Sequence, residues 1–374
     1  MAAASNAELL RPQPAAHALA LPARCYVDTA VEQAERNTVF ARGWQLVAHA
    51  GQVERPGDHV VAEIGGVPLL IVRGEPEASA PLGRLRALHN VCRHRAGPLA
   101  LCDGRGAKSL VCRYHGWSYA LDGQLRGAPE MHDALGFDLG AIRLPEARVA
   151  EWQGLVFAAL DTDGDRAVDF AETVAGIDDR LTQPLTRLVF DRRVSYEIRC
   201  NWKVYVDNYL EGYHLPRVHP GLNRLLDYRS YRTELAPWHS LQWSPLDTAQ
   251  GPYRADDEAA MAQYWWIWPN TMLNVLPGRL QTNRVVPLAA QRCRVDFDYY
   301  YPIDADLAVR ASDLSFADEV QAEDIAICEA VQRGLASGSY VAGRLNPTRE
   351  TGVWHFHERL RSAYGKAPSA EPAR

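Results

Sequence analysis

Two short segments, each carrying one cysteine and one histidine, place the strongest constraint on how this chain can fold. Cys92 and His94 are followed by 17 intervening residues and then by Cys112 and His115. The order of ligand types therefore alternates, with one thiol and one imidazole in each segment. All four side chains can reach one metal centre only if the segments are two loops that close on each other. Tight turns are needed for this, and Gly97-Pro98 and Gly116 can supply them.

The mixed ligand set favours a cluster with two chemically different irons. Thiolates prefer ferric iron, whereas neutral imidazoles suit the iron that is reduced. A Rieske [2Fe–2S] centre uses two Cys on one iron and two His on the other, which raises its potential above that of an all-Cys cluster. A zinc site is the rival interpretation, but common Cys₂His₂ sites group like ligands together. Cys102 has no neighbouring His, and we interpret it as a small buried or loop residue.

A second group of ligand-type residues lies about 100 residues downstream, within residues 201–220. Glu211 and His214 are three residues apart, so we expect them on one face of a helix over 202–213. His219 follows after a proline, where the chain can fold back towards His214. Two His and one carboxylate with open coordination positions are typical of ferrous iron that activates oxygen.

The spacing leaves the carboxylate ligand open. Glu211 is one option, and the acidic pair Glu323 and Asp324 on a predicted helix over 316–335 is another. A His-x₄-His pair alone is weak support for a metal site. The upstream cluster motif strengthens it, because a one-electron carrier in the same chain needs an acceptor.

Composition and charge narrow the class of protein. The chain has 374 residues, 47% hydrophobic and 23% charged, which suits two folded domains or one domain with an insertion. The net charge of −6 gives no reason to expect nucleic-acid binding, and the apolar runs are too short to span a membrane. Seven scattered cysteines favour a reducing cytoplasm over a disulfide scaffold. Residues 1–22 lack the features of a signal peptide, and we expect a flexible or loosely docked tail.

The pattern of apolar residues predicts a β-rich first part and a mixed second part. Gly65 and Gly66 indicate a hairpin between strands at 59–64 and 67–73. A polar stretch at 161–166 marks a boundary. Further predicted elements are a helix at 31–42 and strands at 154–160, 188–198 and 292–301.

Three segments together resemble the α subunits of Rieske non-haem iron ring-hydroxylating oxygenases: Asn-Val-Cys-Arg-His-Arg, Cys-Arg-Tyr-His-Gly-Trp-Ser-Tyr, and the run from Asn201 to Pro220. The resemblance extends from about Val39 to about Tyr364. It implies an α+β fold, in which a small β Rieske domain is inserted in a helix-grip (START-like) catalytic domain with an antiparallel sheet and a long C-terminal helix. The implied domains are an N-terminal tail and helix (1–43), the Rieske domain (44–160) and the catalytic domain (161–374).

The resemblance also implies the roles of individual residues. The cluster ligands would be Cys92, His94, Cys112 and His115. The mononuclear Fe(II) ligands would be His214, His219 and Asp324. Glu211 would bridge from an iron His to a cluster His of the neighbouring subunit, and we expect Asp207 to orient an iron His.

The same resemblance implies an oxidoreductase that uses O₂, works as a head-to-tail homotrimer and receives electrons from NAD(P)H through a separate flavin or iron–sulfur reductase. Many members carry Asp at the bridging position, whereas Glu211 resembles the subgroup that oxidises quaternary ammonium compounds such as carnitine, glycine betaine and stachydrine. The run at 329–335 also resembles that subgroup and choline monooxygenase.

An aromatic cluster bears on the substrate. If residues 264–268 form a strand, Tyr264, Trp266 and Trp268 share one face and could enclose a trimethylammonium group, each ring contributing about 0.5–2 kcal/mol. The same rings could fill the core, or could hold an aromatic compound for hydroxylation or O-demethylation. We interpret His355 and His357, near the C-terminus, as surface or packing residues.

Overall fold

The computed structural model describes residues 6–160, 168–246 and 260–365. The chain forms two compact units. The larger unit combines Met1–Val39 with Ala171–Arg374, and the inserted unit is Phe40–Phe170. The predicted boundary at 161–166 lies outside the described residues. Among the helices that are described, none is both long and apolar enough to cross a membrane.

The inserted unit consists of short antiparallel strands. They are β1 (Gln45–His49), β2 (His59–Ile64), β3 (Val67–Arg73), β4 (Leu85–His89), β5 (Leu110–Val111), β6 (Ser118–Tyr119), β7 (Leu125–Gly127), β8 (Glu146–Trp152) and β9 (Leu155–Ala159). Within the described residues they form a six-stranded sheet in the order β1-β9-β8-β4-β3-β2 and a three-stranded sheet β5-β6-β7.

The predicted hairpin between β2 and β3 is present. Gly65 and Gly66 have φ of 57° and 87°, a left-handed conformation that glycine adopts without steric cost. Residues of β2 alternate between buried and half-buried, as a strand with one core-facing side requires. Two apolar clusters fill the unit, one around Val60 and Ile71 and the other around Leu88 and the two cluster-motif cysteines.

The larger unit contains a sheet that has seven antiparallel strands in the described part of the chain, in the order β10-β16-β15-β14-β13-β12-β11. The strands are β10 (Val189–Ile198), β11 (Arg232–Leu235), β12 (His239–Pro245), β13 (Met261–Ile267), β14 (Thr271–Leu276), β15 (Arg279–Ala289) and β16 (Arg292–Tyr301). In the described residues of the whole chain, the α-helices are α1 (Asn6–Leu9), α2 (Arg24–Val27), α3 (Thr29–Glu35), α4 (Phe170–Thr173), α5 (Trp202–Tyr209), α6 (Leu215–Val218), α7 (Pro220–Leu225), α8 (Leu307–Ala336) and α9 (Thr351–Gly365).

Helix α8 is the longest element, and it contains the helix predicted at 316–335. It begins earlier than predicted because Asp306 caps it, accepting a hydrogen bond from the backbone N–H of Ala308 at 2.6 Å. The hydroxyl of Tyr301 on β16 donates to Asp313, and that of Tyr205 on α5 donates to Gln321, both at 2.7 Å. The helix is therefore bonded both to the sheet and to α5.

The described part of the N-terminal segment, residues 6–22, packs more firmly than a loosely docked tail. Leu9 and Leu21 are buried, and the backbone carbonyls of Leu9 and Leu19 accept hydrogen bonds from Arg361 on α9 at 2.9 and 2.7 Å. The helix predicted at 31–42 is split into α3 and a π-helical turn at Arg36–Phe40.

Candidate metal centres

The two cysteine–histidine loops of the inserted unit share one backbone conformation. In each loop the cysteine N–H donates to the carbonyl five residues on, and the cysteine carbonyl accepts from the N–H four residues on, at 2.9–3.0 Å. The residue at that fourth position, Ala96 after Cys92 and Gly116 after Cys112, has a positive φ of 57° or 74°. The repeated turn explains how two segments with little else in common present their ligands in the same way.

The four side chains of these loops fit a Rieske cluster. The thiols of Cys92 and Cys112 are free and buried. The rings of His94 and His115 lie edge to face, with centroids 4.5 Å apart. The Nδ1 atom of His94 is buried and has no hydrogen-bond partner in the described residues, which suits a nitrogen that binds a metal. Two buried thiols beside two adjacent imidazoles are the donor set of this cluster.

Two further residues support the loops: Tyr119, for which the sequence predicted no role, and Gly97, one of the expected turn residues. The hydroxyl of Tyr119 lies 3.3 Å from the Cys92 sulfur and accepts from the backbone N–H of Arg93 at 2.9 Å. Hydrogen bonds to cluster sulfurs influence the reduction potential. At Gly97 a Cβ atom would lie 2.9 Å from the Cys112 sulfur, so no larger residue fits there without movement.

In the larger unit, His214, His219 and Asp324 come together as the sequence analysis expected. One potential ligand atom from each lies within 4.8 Å of the others. His219 Nε2 is 3.0 Å from Asp324 Oδ1, and the two imidazole rings are 5.0 Å apart. Two imidazoles and one carboxylate that converge on one point fit a ferrous ion with open positions. Asp324 rather than Glu211 supplies the carboxylate of this group.

The predicted helix over 202–213 is too long, because α5 ends at Tyr209. Glu211 and His214 therefore lie in the loop after α5 rather than on one helix face. They are still paired, because Glu211 turns back on this loop. Its Oε1 is 2.7 Å from His214 Nδ1, and its other oxygen accepts from the backbone N–H groups of Tyr213 and His214.

The prediction that Asp207 orients an iron histidine is wrong, because Asp207 has other partners. Asp207 accepts from the hydroxyl of Tyr26 at 2.7 Å and lies 2.9 Å from His357 Nε2, so it faces α2 and α9. Glu323 is the carboxylate that orients an imidazole of the site, 2.7 Å from His219 Nδ1. His357 is buried in this contact, which agrees with packing and not with a surface position.

A cavity adjoins the candidate iron ligands. Its described aromatic lining residues are Tyr205, Tyr209, Tyr231, Tyr264, Phe297 and Phe316. Its amide lining residues are Asn208, Asn274, Gln281, Asn283 and Gln321. Burial raises the pKa of Tyr264 to about 12, while the nearby Arg279 cation opposes the rise. The ring of Tyr264 is therefore a neutral phenol at neutral pH.

The structure separates Tyr264 from the other two members of the predicted cage. Trp266 and Trp268 do not line this cavity but pack near Phe356 of α9, with centroids 5.5 and 6.3 Å from it. Strand β13 ends at Ile267, so the alternation does not extend to Trp268. Trp266 and Trp268 therefore fill the core. Of the three rings, Tyr264 is the one that can contact a substrate in this cavity.

Comparisons with known proteins agree with this geometry. A family described as "Rieske [2Fe-2S] domain" matches residues 43–147, and "Ring hydroxylating alpha subunit (catalytic domain)" matches residues 185–366. Choline monooxygenase of Arabidopsis thaliana is 36% identical over 355 residues, covering 90% of this chain and 81% of that protein. The carnitine monooxygenase oxygenase subunit of Escherichia coli K12 is 29% identical over 359 residues, covering 92% and 93%.

Solved structures are similar over nearly the whole chain. A quaternary ammonium Rieske monooxygenase in complex with L-carnitine has a TM-score of 0.81 at 26% identity, covering 94% of this chain and 99% of that one. Naphthalene 1,2-dioxygenase, at 19% identity and a TM-score of 0.75, supports the fold alone. The predicted fold class and cofactors are thereby confirmed: a [2Fe–2S] Rieske domain is inserted in an oxygenase domain that uses mononuclear iron and O₂. The chain belongs to the Rieske non-haem iron oxygenases and is the catalytic α subunit of such an enzyme.

Proposed function

We propose that this enzyme is the terminal component of a monooxygenase that hydroxylates a quaternary ammonium or N-methyl compound. The observation that carries the proposal is the cavity, in which the candidate iron ligands adjoin a wall of aromatic rings. A trimethylammonium group gains about 0.5–2 kcal/mol from each ring face that it contacts. The similarity to choline and carnitine monooxygenases supports the same substrate class.

His214, His219 and Asp324 would hold the mononuclear iron, which supplies binding and activation of O₂. Glu211 and Glu323 contact the Nδ1 atoms of the two imidazoles, so Nε2 of each ring would be the atom that binds the metal. The Nδ2 group of Asn208 donates to the Asp324 oxygen Oδ1 and restrains that carboxylate. The chain's own groups thus fix the ligands before substrate arrives.

Cys92, Cys112, His94 and His115 would hold the cluster and deliver electrons that come from NAD(P)H through a separate reductase. We also propose a head-to-tail homotrimer in the cytoplasm, in which Glu211 bridges from His214 to a cluster histidine of the neighbouring subunit. The contact of Glu211 with His214 supports one half of this bridge. The free state of all seven cysteines supports a reducing compartment.

The bridging role predicts that Glu211→Gln keeps both iron centres and loses turnover. Iron content, the visible absorption of the cluster and product formation would be measured in the same preparations. Glu75→Gln, at an exposed position, is the matched control. Turnover of Glu211→Gln at the wild-type rate would exclude the bridge.

The substrate class is tested by titrating the iron-loaded protein with carnitine, glycine betaine and choline, and in parallel with benzoate-type acids. We expect binding of the ammonium compounds, weakened by Tyr264→Ala and unaffected by Trp265→Phe on the other strand face. Binding of aromatic acids alone would favour hydroxylation or O-demethylation of an aromatic compound. Iron analysis separates an oxygenase from a simple electron carrier, since the former needs three irons per chain and the latter two.

A further inference from the structure

One wall of the cavity follows helix α8 from the iron ligand towards the start of the helix. The α8 residues that line it are Phe316, Ala317, Val320, Gln321 and Asp324. Their spacing of three and four residues places them on one helix face. Asp313 continues this series one turn further back. At a rise of 1.5 Å per residue, the α-carbons of Asp313 and Asp324 are roughly 16 Å apart along the axis.

Arg279, at the start of β15, lines the cavity near the Asp313 end of this wall. It is 7% exposed and forms an ion pair with Asp313. Asp313 also accepts from the hydroxyl of Tyr301, and it is not among the residues that line the cavity. The carboxylate thus lies behind the guanidinium, and a molecule in the cavity meets the positive group first.

The charges of the cavity are therefore separated along its length. Among the described lining residues, Arg279 is the only lysine or arginine. The carboxylates that line the cavity, Asp324 and Glu211, lie at the iron end. The side chains between them are apolar, aromatic or amide groups. A molecule with a cation at one end and an anion at the other matches this arrangement.

We infer that the substrate is a betaine, a quaternary ammonium compound with a carboxylate, and that Arg279 determines this specificity by binding the carboxylate. The inference rests on the proposed function and deepens it. The ammonium group lies among the rings near the iron ligands, with an N-methyl group at the reacting position. The carboxylate extends along α8 towards Arg279, whose partner Asp313 lies about three helical turns before Asp324. A guanidinium suits this role because its fork of N–H donors can serve Asp313 and a second carboxylate together.

The test compares two ligands that differ only at one end: γ-butyrobetaine and (4-hydroxybutyl)trimethylammonium. Dissociation constants are measured by calorimetry on the iron-loaded protein without turnover. We expect the wild-type protein to bind γ-butyrobetaine about tenfold to hundredfold more tightly, since a hydrogen bond to a charged group has that effect. Equal affinity for the two ligands would overturn the inference.

Variants of Arg279 and Asp313 test whether this ion pair is the source of the preference for γ-butyrobetaine. Arg279→Gln combined with Asp313→Asn removes both charges and leaves no carboxylate buried alone. We expect it to lose the preference for γ-butyrobetaine and to keep its affinity for the hydroxybutyl compound. Arg279→Lys retains a cation without the fork and should keep part of the preference, even if the double variant folds poorly. A preference unchanged in these variants would exclude Arg279 as its source. If neither ammonium compound binds the wild-type protein, the proposed function itself fails.

Discussion

Replacing Lys203 by methionine would remove the cation from an ion pair whose two side chains are both 0% exposed. Lys203 Nζ donates to the two carboxylate oxygens of Glu35 at 2.7 and 2.9 Å, and Trp202 Nε1 donates to the same carboxylate at 2.8 Å. The hydroxyl of Tyr364 on α9 also donates to it. Glu35 thus joins α3, the start of α5 and the end of α9, and α5 leads directly into the loop that carries the candidate iron ligands.

The expected loss of stability follows from the burial of both Lys203 and Glu35. Loss of one partner leaves a carboxylate with no counter-charge in a site without water contact, which costs about 3–5 kcal/mol. At roughly 2–4 °C per kcal/mol, the Tm of the Lys203→Met variant should fall by about 6–20 °C. Glu35→Gln removes the charge of the acceptor and keeps an oxygen for Trp202. In the double variant no charge remains buried, so we expect it to be more stable than Lys203→Met alone.

The assay is a double-mutant cycle on the two single variants and the double variant. Thermal and urea unfolding would be followed by far-ultraviolet circular dichroism, in preparations matched for iron content because metal loss would shift the midpoint independently. Exchange of the exposed Lys108 for methionine serves as the control and should change Tm little. Additive effects of the two single variants, with the double variant the least stable, would refute this reasoning.

Three further predictions address the metal sites and the response to acid. Glu323→Ala removes the group that orients His219, and we expect the affinity for mononuclear iron to fall about tenfold to hundredfold, seen as loss of one iron in three per chain. Gly97→Ala places a methyl group against the Cys112 sulfur, and the visible absorption of the cluster should be lost. Burial lowers the pKa of His355 to about 4 from 6.5, so below pH 6.5 the unfolded chain binds a proton that the folded chain does not. The free energy of unfolding therefore decreases as pH falls from 6.5 to 4. Between pH 7 and 4.5 this decrease should be smaller in His355→Gln than in the wild-type protein, as measured in unfolding experiments.

Each of these predictions has a matched control on the same chain. Glu319→Ala changes an exposed acid of α8 and should keep the iron content. Gly334→Ala adds a methyl group into open space and should leave the cluster absorption unchanged. The reasoning fails if Glu323→Ala retains full iron, if Gly97→Ala keeps its cluster spectrum, or if His355→Gln has the wild-type loss of stability at pH 4.5.

Local patterns were sufficient to predict much of the fold and the candidate ligands. The pair Gly65 and Gly66 predicted a turn because few other residues adopt its backbone angles, and β16 and the body of α8 follow from their apolar patterns. The end of α5 was missed because the segment after Tyr209 has no strong helix breaker before Pro216. Its conformation is set instead by the hydrogen bonds of Glu211, which no local pattern reveals.

The roles of Asp207, Trp266 and Trp268 were predicted wrongly because they are set by segments that are distant in the sequence and pack against each side chain. Alternation along β13 correctly separates Tyr264 from Trp265, but only the tertiary structure puts the cavity beside Tyr264 and α9 beside Trp266. Asp207 is four residues before Glu211, yet its partners come from α2 and α9, more than 140 positions away in each direction. Contacts of this range lie outside the reach of spacing arguments on a single sequence.

Helix α8 also restricts how this enzyme could change in evolution. One inserted or deleted residue between Asp313 and Asp324 would turn one of them by about 100° relative to the other, so either Asp313 would lose its ion pair with Arg279 or Asp324 would turn away from His214 and His219. The fold therefore does not tolerate insertions or deletions in this part of α8. Exchange of a single side chain, such as Ala317 for a larger residue, would shorten the cavity and leave both ends in place. Substrate range in relatives with this helix should thus vary by substitution at the lining positions and not by insertion.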